Sequence, residues 1–445
     1  GKKSEQVSVP DKGTTIIAKV KPSLKERGNN GARRKEYFNL ETCHHDIYPD
    51  AAEFKVEEGK KIRTTDCIRY EFIPPRFIKH IYHQHYYACK GTVYAGSLPA
   101  VPLLNSNYDA SFIAVILQLR YIYSMPVERI IKLFAEHGFE MNKATAHGLI
   151  KKAAGLFDLV EDVLKETVLS DNYLSMDESY YTVLTSDTNN SSGKSTAKGY
   201  IWAALANHLK LVHFFYENGS RSRKVLTGYL REDYRGAIQS DGLGNYKIIE
   251  KEAYPDAIRL SCFQHCKRKF LNITGNKDAE KIVRIINRLY QNEHRIPPDW
   301  TACQILDYRN KYAPPILKEL KEELINIKNK KSTLPKSELS KAINYTLNEY
   351  DALCNYIRSA DYAPDNNAIE RLMRYISLSR RNSLFCGSHQ GAKRAALIYS
   401  LACSCRLNNI NSFEYFKDLL TKLIDINPNT DHETIRNLLP HKWQR

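Results

Sequence analysis

Two features are missing from this 445-residue chain: long apolar runs and paired cysteines. There is no run of about 18 apolar residues and no charged-then-apolar signal at the start, so we expect neither membrane insertion nor secretion. The ten cysteines include no Cys-x-x-Cys pair, and a chain this long does not need disulfides to build a core. We therefore expect reduced thiols in a cytoplasmic protein.

The charge balance is basic, with 66 Lys and Arg against 50 Asp and Glu, a formal net charge of +16. A composition of 42% hydrophobic and 26% charged residues is typical of folded globular proteins. The basic surplus favours a polyanionic partner, because Lys and Arg that neutralise phosphates release condensed counterions. Charge alone does not identify nucleic acid, since many basic proteins never bind it.

Changes in composition and hydrophobic period divide the chain into segments. The expected segments are 1–40, a basic arm or linker; 41–98, a small β module; 105–168, a helical domain; 170–263, the first part of an α/β core; 264–362, a helical insertion; 363–425, a further helix and the end of the core; and 426–445, a C-terminal tail.

The helical block at 105–168 resembles a DNA-binding unit in the positions at which its helices begin and end. Apolar residues recur at helical spacing from Phe112 to Leu119, a second helix begins near Pro126 and ends at Gly138, and a third begins at Lys143. Two helices joined by a short glycine-containing turn are typical of a helix-turn-helix. Three ordinary packed helices remain the alternative.

At residues 173–262 the spacing of the hydrophobic residues changes from the helical period of about 3.6 residues to the strand period of about 2 residues. The expected strands are Tyr173–Leu184, Gly199–Ala206, Leu211–Tyr216, Ala237–Ser240 and Ile258–Cys262. A helix is expected at Asn245–Glu252, before the last strand. Three strands in a meander, followed by strand, helix and strand, predict a ribonuclease H-like α/β core. The apolar stripes that follow predict a helical insertion into it.

Three carboxylates occupy unusual places in this pattern. Asp177 lies within an otherwise apolar and aromatic strand, Asp241 ends another strand just before a glycine, and Glu370 adjoins the apolar face of an amphipathic helix. Phosphoryl transfer on DNA uses oxygen ligands that hold two divalent cations, which three such residues can supply. The alternatives are a solvated strand edge at Asp177 and Glu178, a turn at Asp241 and a surface pair between Glu370 and Arg374.

Several blocks resemble one family, the DDE transposases of the insertion sequence 66 family. The resemblance runs from about residue 40 to the end and is carried by Gln239–Tyr246, Cys262–Phe270, Asp365–Arg371, Asn382–Phe385, Gly387–Ala392 and Leu438–Trp443. It implies a DNA transposase that binds transposon ends and cleaves and joins DNA by two-metal-ion phosphoryl transfer. By the resemblance Asp177, Asp241 and Glu370 are the catalytic metal-binding triad.

The resemblance also implies cofactors and partners. The cofactor is two Mg²⁺ (or Mn²⁺) ions, and His265 of the Cys-x-x-His block lies near the scissile phosphate. The expected partners are double-stranded DNA of transposon ends and target, a second copy of the chain in a homodimer or higher oligomer on DNA, and accessory transposition proteins, in the bacterial nucleoid. Without the family, Cys262 and His265 are a strand-end thiol and a helix-start histidine, and two ligands do not make a structural zinc site.

Basic residues in three places are candidates for DNA contacts. They are Lys143, Thr145 and His147 at the start of the third helix, Lys267, Arg268 and Lys269 after the Cys-x-x-His block, and Arg371, Arg374, Arg380 and Arg381 near Glu370. Residues in the first turn of a recognition helix meet base edges, whereas the others would contact phosphates. A solvated charged face is the alternative for the last two groups.

The N-terminal module departs from the family, which has a zinc unit with two Cys-x-x-Cys pairs. At the corresponding places this chain has Cys43–Asp46 and Cys89–Thr92, each without its second cysteine, so we expect no structural zinc. Histidines that could complete a weaker site are His44, His45 and His85. Because Gly1–Glu5 resembles the end of the family's leucine-zipper-like segment, we expect the natural chain to begin earlier.

Two other functions are compatible with the same residues. One is a catalytically silent, transposase-derived DNA-binding protein, which the presence of all three carboxylates argues against. The other is a nuclease of the same fold that does not join strands. Metal-dependent cleavage and joining of transposon-end DNA distinguish the three.

Overall fold

The strands at 173–262 lie close to their expected bounds, and two more lie within the expected β module at 41–98. They are β1 (Tyr86–Cys89), β2 (Thr92–Ala95), β3 (Tyr173–Leu184), β4 (Thr196–Ala206), β5 (Leu211–Phe215), β6 (Ala237–Gln239) and β7 (Ile258–Leu260). β1 and β2 form an antiparallel hairpin. The other five form a mixed sheet in the order β5-β4-β3-β6-β7, antiparallel among β3, β4 and β5 and parallel among β3, β6 and β7. The expected three-strand meander and two further strands are confirmed.

This computed structural model describes residues 75–89, 92–104, 106–184, 196–242, 244–247, 254–427 and 429–444. The expected basic arm at 1–40 and the motif Cys43–Asp46 lie outside the described residues. Of the expected helix Asn245–Glu252, the described part is a 3-10 turn at Gly244–Lys247.

The remaining described chain is mostly helical. The helices are α1 (Ala110–Leu117), α2 (Val127–Glu136), α3 (Lys143–Leu169), α4 (Arg223–Tyr229), α5 (Phe263–Leu271), α6 (Lys277–His294), α7 (Ala302–Lys328), α8 (Glu338–Asn348), α9 (Tyr350–Cys354), α10 (Asn367–Ser383), α11 (His389–Leu407), α12 (Ser412–Lys422) and α13 (His432–Arg436). In the part of the chain that the structure describes, none has both the length and the apolar character needed to cross a bilayer.

The three helices at 105–168 pack against one another, and α3 also packs against the sheet. Their boundaries agree with the sequence signals: Pro126 immediately precedes α2, Gly138 has a φ of +81° after it, and the Asn142 side chain caps α3. The second half of α3 buries Phe157 and Leu164, which belong to the same hydrophobic cluster as the sheet. Because each such side chain contributes about 1.5–3 kcal/mol on burial, α3 is fixed to the sheet.

A second hydrophobic cluster lies in the helical insertion. The two stripes expected from the sequence are buried there, and they consist of Ile282, Ile285, Ile286 and Leu289 on α6 and Leu317, Leu320, Leu324 and Ile327 on α7. α7 continues through Pro314 and Pro315 rather than breaking. The insertion separates β7 from α10 in the sequence, so the residues before and after it meet only through the fold.

Candidate active site

Asp177 and Asp241 are aligned by the register of two parallel strands. Ser175 of β3 pairs with Gln239 of β6, so each aspartate lies two residues beyond the same register position. On the other side of β6, the Ser240 backbone amide donates a hydrogen bond to the Leu260 carbonyl oxygen of β7. Because adjacent strands lie about 5 Å apart, Asp177 within β3 and Asp241 just after β6 lie at the same level of the sheet.

The carboxyl group of Asp177 lies in a crowded acidic environment. Its pKa is raised well above the ordinary value, first by burial and then by the negative charges of Glu178, Asp241 and Glu370. One interaction opposes the shift, because the Glu178 backbone amide donates a hydrogen bond to Asp177 Oδ1 at 2.8 Å. Like charges disfavour each other's ionisation, so a cation placed among these groups would relieve the repulsion.

Glu370 reaches this region from the first turn of α10. The buried residue Asn366, just before the helix, donates from its side-chain amide to the Met176 carbonyl oxygen at 3.0 Å. The Asn366 backbone amide donates to Cys262 Sγ at 3.2 Å. Asn366 therefore fixes the start of α10 to β3, next to Asp177, and to the start of α5. The sequence contained no signal for this role.

A histidine and an arginine of α5 face Glu370. His265 Nδ1 lies 3.7 Å from Glu370 Oε1, and Arg268 lies 3.8 Å from Glu370 Oε2. The distance from His265 is too long for a hydrogen bond, and both atoms of that pair are buried without a hydrogen-bond partner. Cys262 is fully buried at the start of the same helix, and burial raises the pKa of its thiol to about 12.

Glu178 does not lie at a solvated strand edge, which was the alternative interpretation of Asp177 and Glu178. Its side chain is only 1% exposed and forms a 2.7 Å ion pair with Arg221. The Tyr246 hydroxyl donates to its other oxygen at 3.0 Å. Burial raises the pKa of Glu178 despite these partners, and the charge of Asp241 adds to the shift. Arg221 lies 43 residues away in sequence, so spacing alone does not identify the pair.

Gly242 allows the Asp241 loop to approach the insertion closely. Its amide donates to the Tyr345 hydroxyl of α8 at 3.1 Å. A Cβ atom at this position would overlap the Tyr345 ring and hydroxyl. The glycine after Asp241 is thus required for close packing.

The candidate DNA contacts at the start of α3 lie near the surface. Lys143 is the first residue of the helix and pairs with Glu128 of α2. The Thr145 amide donates to the Asn142 side chain at 2.7 Å, while His147 is exposed. The first turn of α3 is therefore accessible.

The basic run after His265 is divided among several partners. Lys267 lies over the Tyr290 ring at 5.6 Å and Lys269 over the Tyr345 ring at 4.2 Å. Arg268 alone of the three reaches Glu370. The run is thus partly used in packing within the insertion.

On α10, three of the four candidate arginines are exposed: Arg371, Arg374 and Arg381. Arg380 instead donates to the Tyr180 carbonyl oxygen at 2.6 Å and lies over the Tyr180 ring at 3.7 Å. Its guanidinium is committed to β3, which a charge pattern in sequence does not reveal.

The structure defines an α/β protein with a carboxylate-rich site where β6 ends beside β3. Residues 105–394 match the family described as Transposase IS66 family, and the chain belongs to that family.

Similar proteins extend this match beyond the family segment. The uncharacterized protein y4jD of Sinorhizobium fredii is 26% identical over 371 residues, covering 80% of this chain and 70% of that protein. The uncharacterized protein y4qI of the same organism is 24% identical, covering 82% and 69% respectively. Among solved structures, the Drosophila P element transposase strand transfer complex is 11% identical with a TM-score of 0.38, covering 67% of this chain and 92% of that one.

Proposed function

We propose that this protein is a DNA transposase that binds the ends of an insertion sequence and cleaves and joins DNA strands. The shared register of Asp177 and Asp241, two residues beyond the pair Ser175 and Gln239, carries the proposal. The negative charges of Asp241 and Glu370 both raise the pKa of Asp177, so the three carboxylates from two strands and a helix belong to one region of the fold. Membership of the transposase family supports the same function.

The fold proposed for this site is a ribonuclease H-like core. Three antiparallel strands followed by two parallel strands, in the order β5-β4-β3-β6-β7, support it. The helical insertion then lies between the second and third carboxylates. For α2 and α3 we propose a helix-turn-helix, supported by the turn at Gly138 and the exposed first turn of α3.

Asp177, Asp241 and Glu370 would hold the Mg²⁺ or Mn²⁺ ions of such an enzyme. Their oxygen atoms are the hard ligands these ions prefer, and the buried Glu370 Oε1 has no hydrogen-bond partner. When bound, two such ions supply activation of the attacking oxygen and stabilisation of the leaving one. The crowded negative charge around Asp177 fits a site that holds cations.

The other residues of the site position these carboxylates and the DNA. Asn366 holds the start of α10 against β3, and Arg221 holds Glu178 beside Asp177. We assign His265 to the scissile phosphate, because it comes from α5 and faces Glu370. The exposed Arg371 and Arg374 would neutralise backbone phosphates, as the net charge of +16 favours.

Alanine substitution of Asp241 tests this function. The variant should lose cleavage and joining of transposon-end DNA while it retains end binding, because the carboxylate is needed for the ions but not for DNA affinity. Asp233→Ala removes an exposed acid at the surface and is the control, with activity expected to stay unchanged. Wild-type joining by Asp241→Ala would exclude the assignment.

The wild-type protein distinguishes the alternatives in the same assay. Divalent-metal-dependent joining is expected. Cleavage without joined product would identify a nuclease instead, and end binding without cleavage would identify a silent DNA-binding relative.

A further inference from the structure

A second kind of metal-ligand group overlaps the proposed carboxylate site. Among the described residues, one group of at least three potential ligands has its donor atoms within 4.8 Å of one another: Cys262, His265 and Glu370. The sequence offered only the first two, which is too few for a zinc site. The fold adds the third from α10, 105 residues after His265.

The separations are close to those of a tetrahedral zinc centre. Zinc–ligand bonds of about 2.0–2.3 Å place the ligand atoms about 3.3–3.8 Å apart. His265 Nδ1 and Glu370 Oε1 are already 3.7 Å apart, a distance too long for a hydrogen bond. Both atoms are buried and have no hydrogen-bond partner. The Cys262 sulfur lies within 4.8 Å of the other two ligand atoms, so a shift of at most about 1 Å brings it to the same separation.

The surroundings hold the three side chains in position. The Asn366 amide donates to the Cys262 sulfur at 3.2 Å and ties the start of α10 to the start of α5. Arg268 approaches the second oxygen of Glu370, so Oε1 remains available to a metal ion.

We propose that Cys262, His265 and Glu370 bind a zinc ion, with water as the fourth ligand. Thiolate, imidazole and carboxylate are all zinc ligands, whereas Mg²⁺ prefers oxygen alone. Binding replaces the thiol proton of Cys262 by the metal and releases that proton to solvent.

The shared glutamate gives this zinc site a regulatory consequence, which rests on the proposed function. Zinc held by Glu370 withdraws that carboxylate from the Mg²⁺ site beside Asp177 and Asp241. Zinc therefore inhibits DNA joining even when Mg²⁺ is abundant.

Cobalt titration of the full chain tests the binding step, because Co²⁺ replaces Zn²⁺ in such sites and a cobalt–thiolate bond gives an intense near-ultraviolet absorption. The wild-type protein should show this band, and added Zn²⁺ should remove it. Cys262→Ser should abolish the band and weaken zinc binding at least about tenfold, since losing even an outer-shell partner of a metal site costs about 10–100-fold.

Two matched cysteine variants locate the metal. Cys266→Ser changes a buried thiol on the same helix that is not among the three ligands, and the band should persist. Cys43→Ser changes the N-terminal module, and the band should persist there too. A band that survives in Cys262→Ser, or is lost in Cys43→Ser, overturns the proposed site.

The inhibition is tested separately on DNA. Zinc added in the presence of Mg²⁺ should inhibit joining by the wild type, and Cys262→Ser should require at least about tenfold more zinc relative to its own zinc-free rate. Equal zinc sensitivity of the two proteins contradicts the inhibitory role. If the wild type joins no DNA, the proposed function fails, while the cobalt band still decides the site.

Discussion

Arg259 and Glu349 form a buried ion pair that joins the last strand of the sheet to the helical insertion. Arg259 on β7 donates to Glu349 Oε2 at 2.6 Å, and the two side chains are only 3% and 1% exposed. Ser261 donates to the same oxygen at 3.1 Å, and the Lys247 ammonium lies 2.9 Å from the other. These interactions bind the insertion to β7, the strand that precedes Cys262.

Removing one partner of this pair should strongly destabilise the protein. Glu349→Ala removes the carboxylate that accepts hydrogen bonds from the buried Arg259 guanidinium and from Ser261, so we expect a loss of up to about 3–5 kcal/mol in the free energy of unfolding. Glu338→Ala breaks an exposed pair with Lys341 on α8 and should cost at most about 0.5 kcal/mol. Urea unfolding followed by circular dichroism compares the two, and equal midpoints would refute the expectation.

His213 should make stability fall in acid. It is buried on β5 with Nδ1 3.0 Å from the Tyr229 hydroxyl, and burial, together with the charges of Lys165 and Lys393, lowers its pKa to about 3. The unfolded chain has the ordinary histidine pKa of about 6.5 and binds the proton first. Stability from this group is complete above pH about 6.5 and falls by about 1.4 kcal/mol per pH unit towards pH 3.

Urea midpoints measured across this range test the effect of His213. His213→Asn keeps a polar atom near the Nδ1 position but does not titrate, so its stability should depend less on pH between about 6.5 and 5. His83→Asn, at an exposed position, is the control and should follow the wild type. Parallel curves for His213→Asn and wild type would show that His213 is not responsible.

The first turn of α3 is expected to read bases. Replacing both Lys143 and Thr145 by Ala should reduce discrimination between end DNA and random DNA by about 1–3 kcal/mol for each interaction with a base edge that is removed. Binding titrations on both DNAs measure this. If affinity for the two DNAs falls equally, α3 is a packing or dimerisation helix.

Two turns further along α3, the comparison pair is Lys151 and Lys152, both exposed. Lys151 lines a cleft of about 240 Å³ together with Lys393, Arg394 and Asp158, where three cations outnumber one carboxylate and favour a backbone phosphate. Alanine at Lys151 and Lys152 should weaken binding to both DNAs about equally and flatten the salt dependence, because fewer counterions are released. Titrations at two salt concentrations provide the slope.

Gly242→Ala should impair catalysis by displacing Asp241 without removing any catalytic group. The added methyl group overlaps the Tyr345 side chain, so the Tyr345 ring or the backbone next to Asp241 must shift. Because a displacement of about 1 Å in an active site costs on the order of 100-fold in rate, we expect a loss of that size. Tyr345→Ala in the same chain removes the obstruction and should restore part of the joining rate. No recovery in the double variant would show that the loss has another cause.

Local sequence patterns predicted most strands of the sheet, but they predicted few of the interactions between residues that are far apart in the sequence. The bounds of β3 agree with the expected strand Tyr173–Leu184, because apolar and aromatic residues occupy both of its ends. The two prolines within α7 would favour a break, but Ala313, Ile316 and Leu317 are buried around them, and tertiary packing overrides the local signal.

The prediction of the site residues depended on the family resemblance rather than on local sequence patterns. Nothing in local sequence relates Asp241 to Glu370, since 370 − 241 = 129 residues separate them. The partners of Glu178 and the role of Asn366 are equally invisible, because each depends on an interaction made only after the strands and helices have assembled.

Because the insertion lies between β7 and α10, the proposed site residues are synthesised at different times. During synthesis the ribosome delivers both aspartates long before Glu370, and chains fold progressively from the N-terminal end. A nascent or prematurely terminated chain therefore carries the proposed DNA-reading helix and two of the three carboxylates without the last. Such a chain also lacks α11 and α12, which pack against α3 and α1, so neither the proposed site nor the helical block is complete until translation has passed α12.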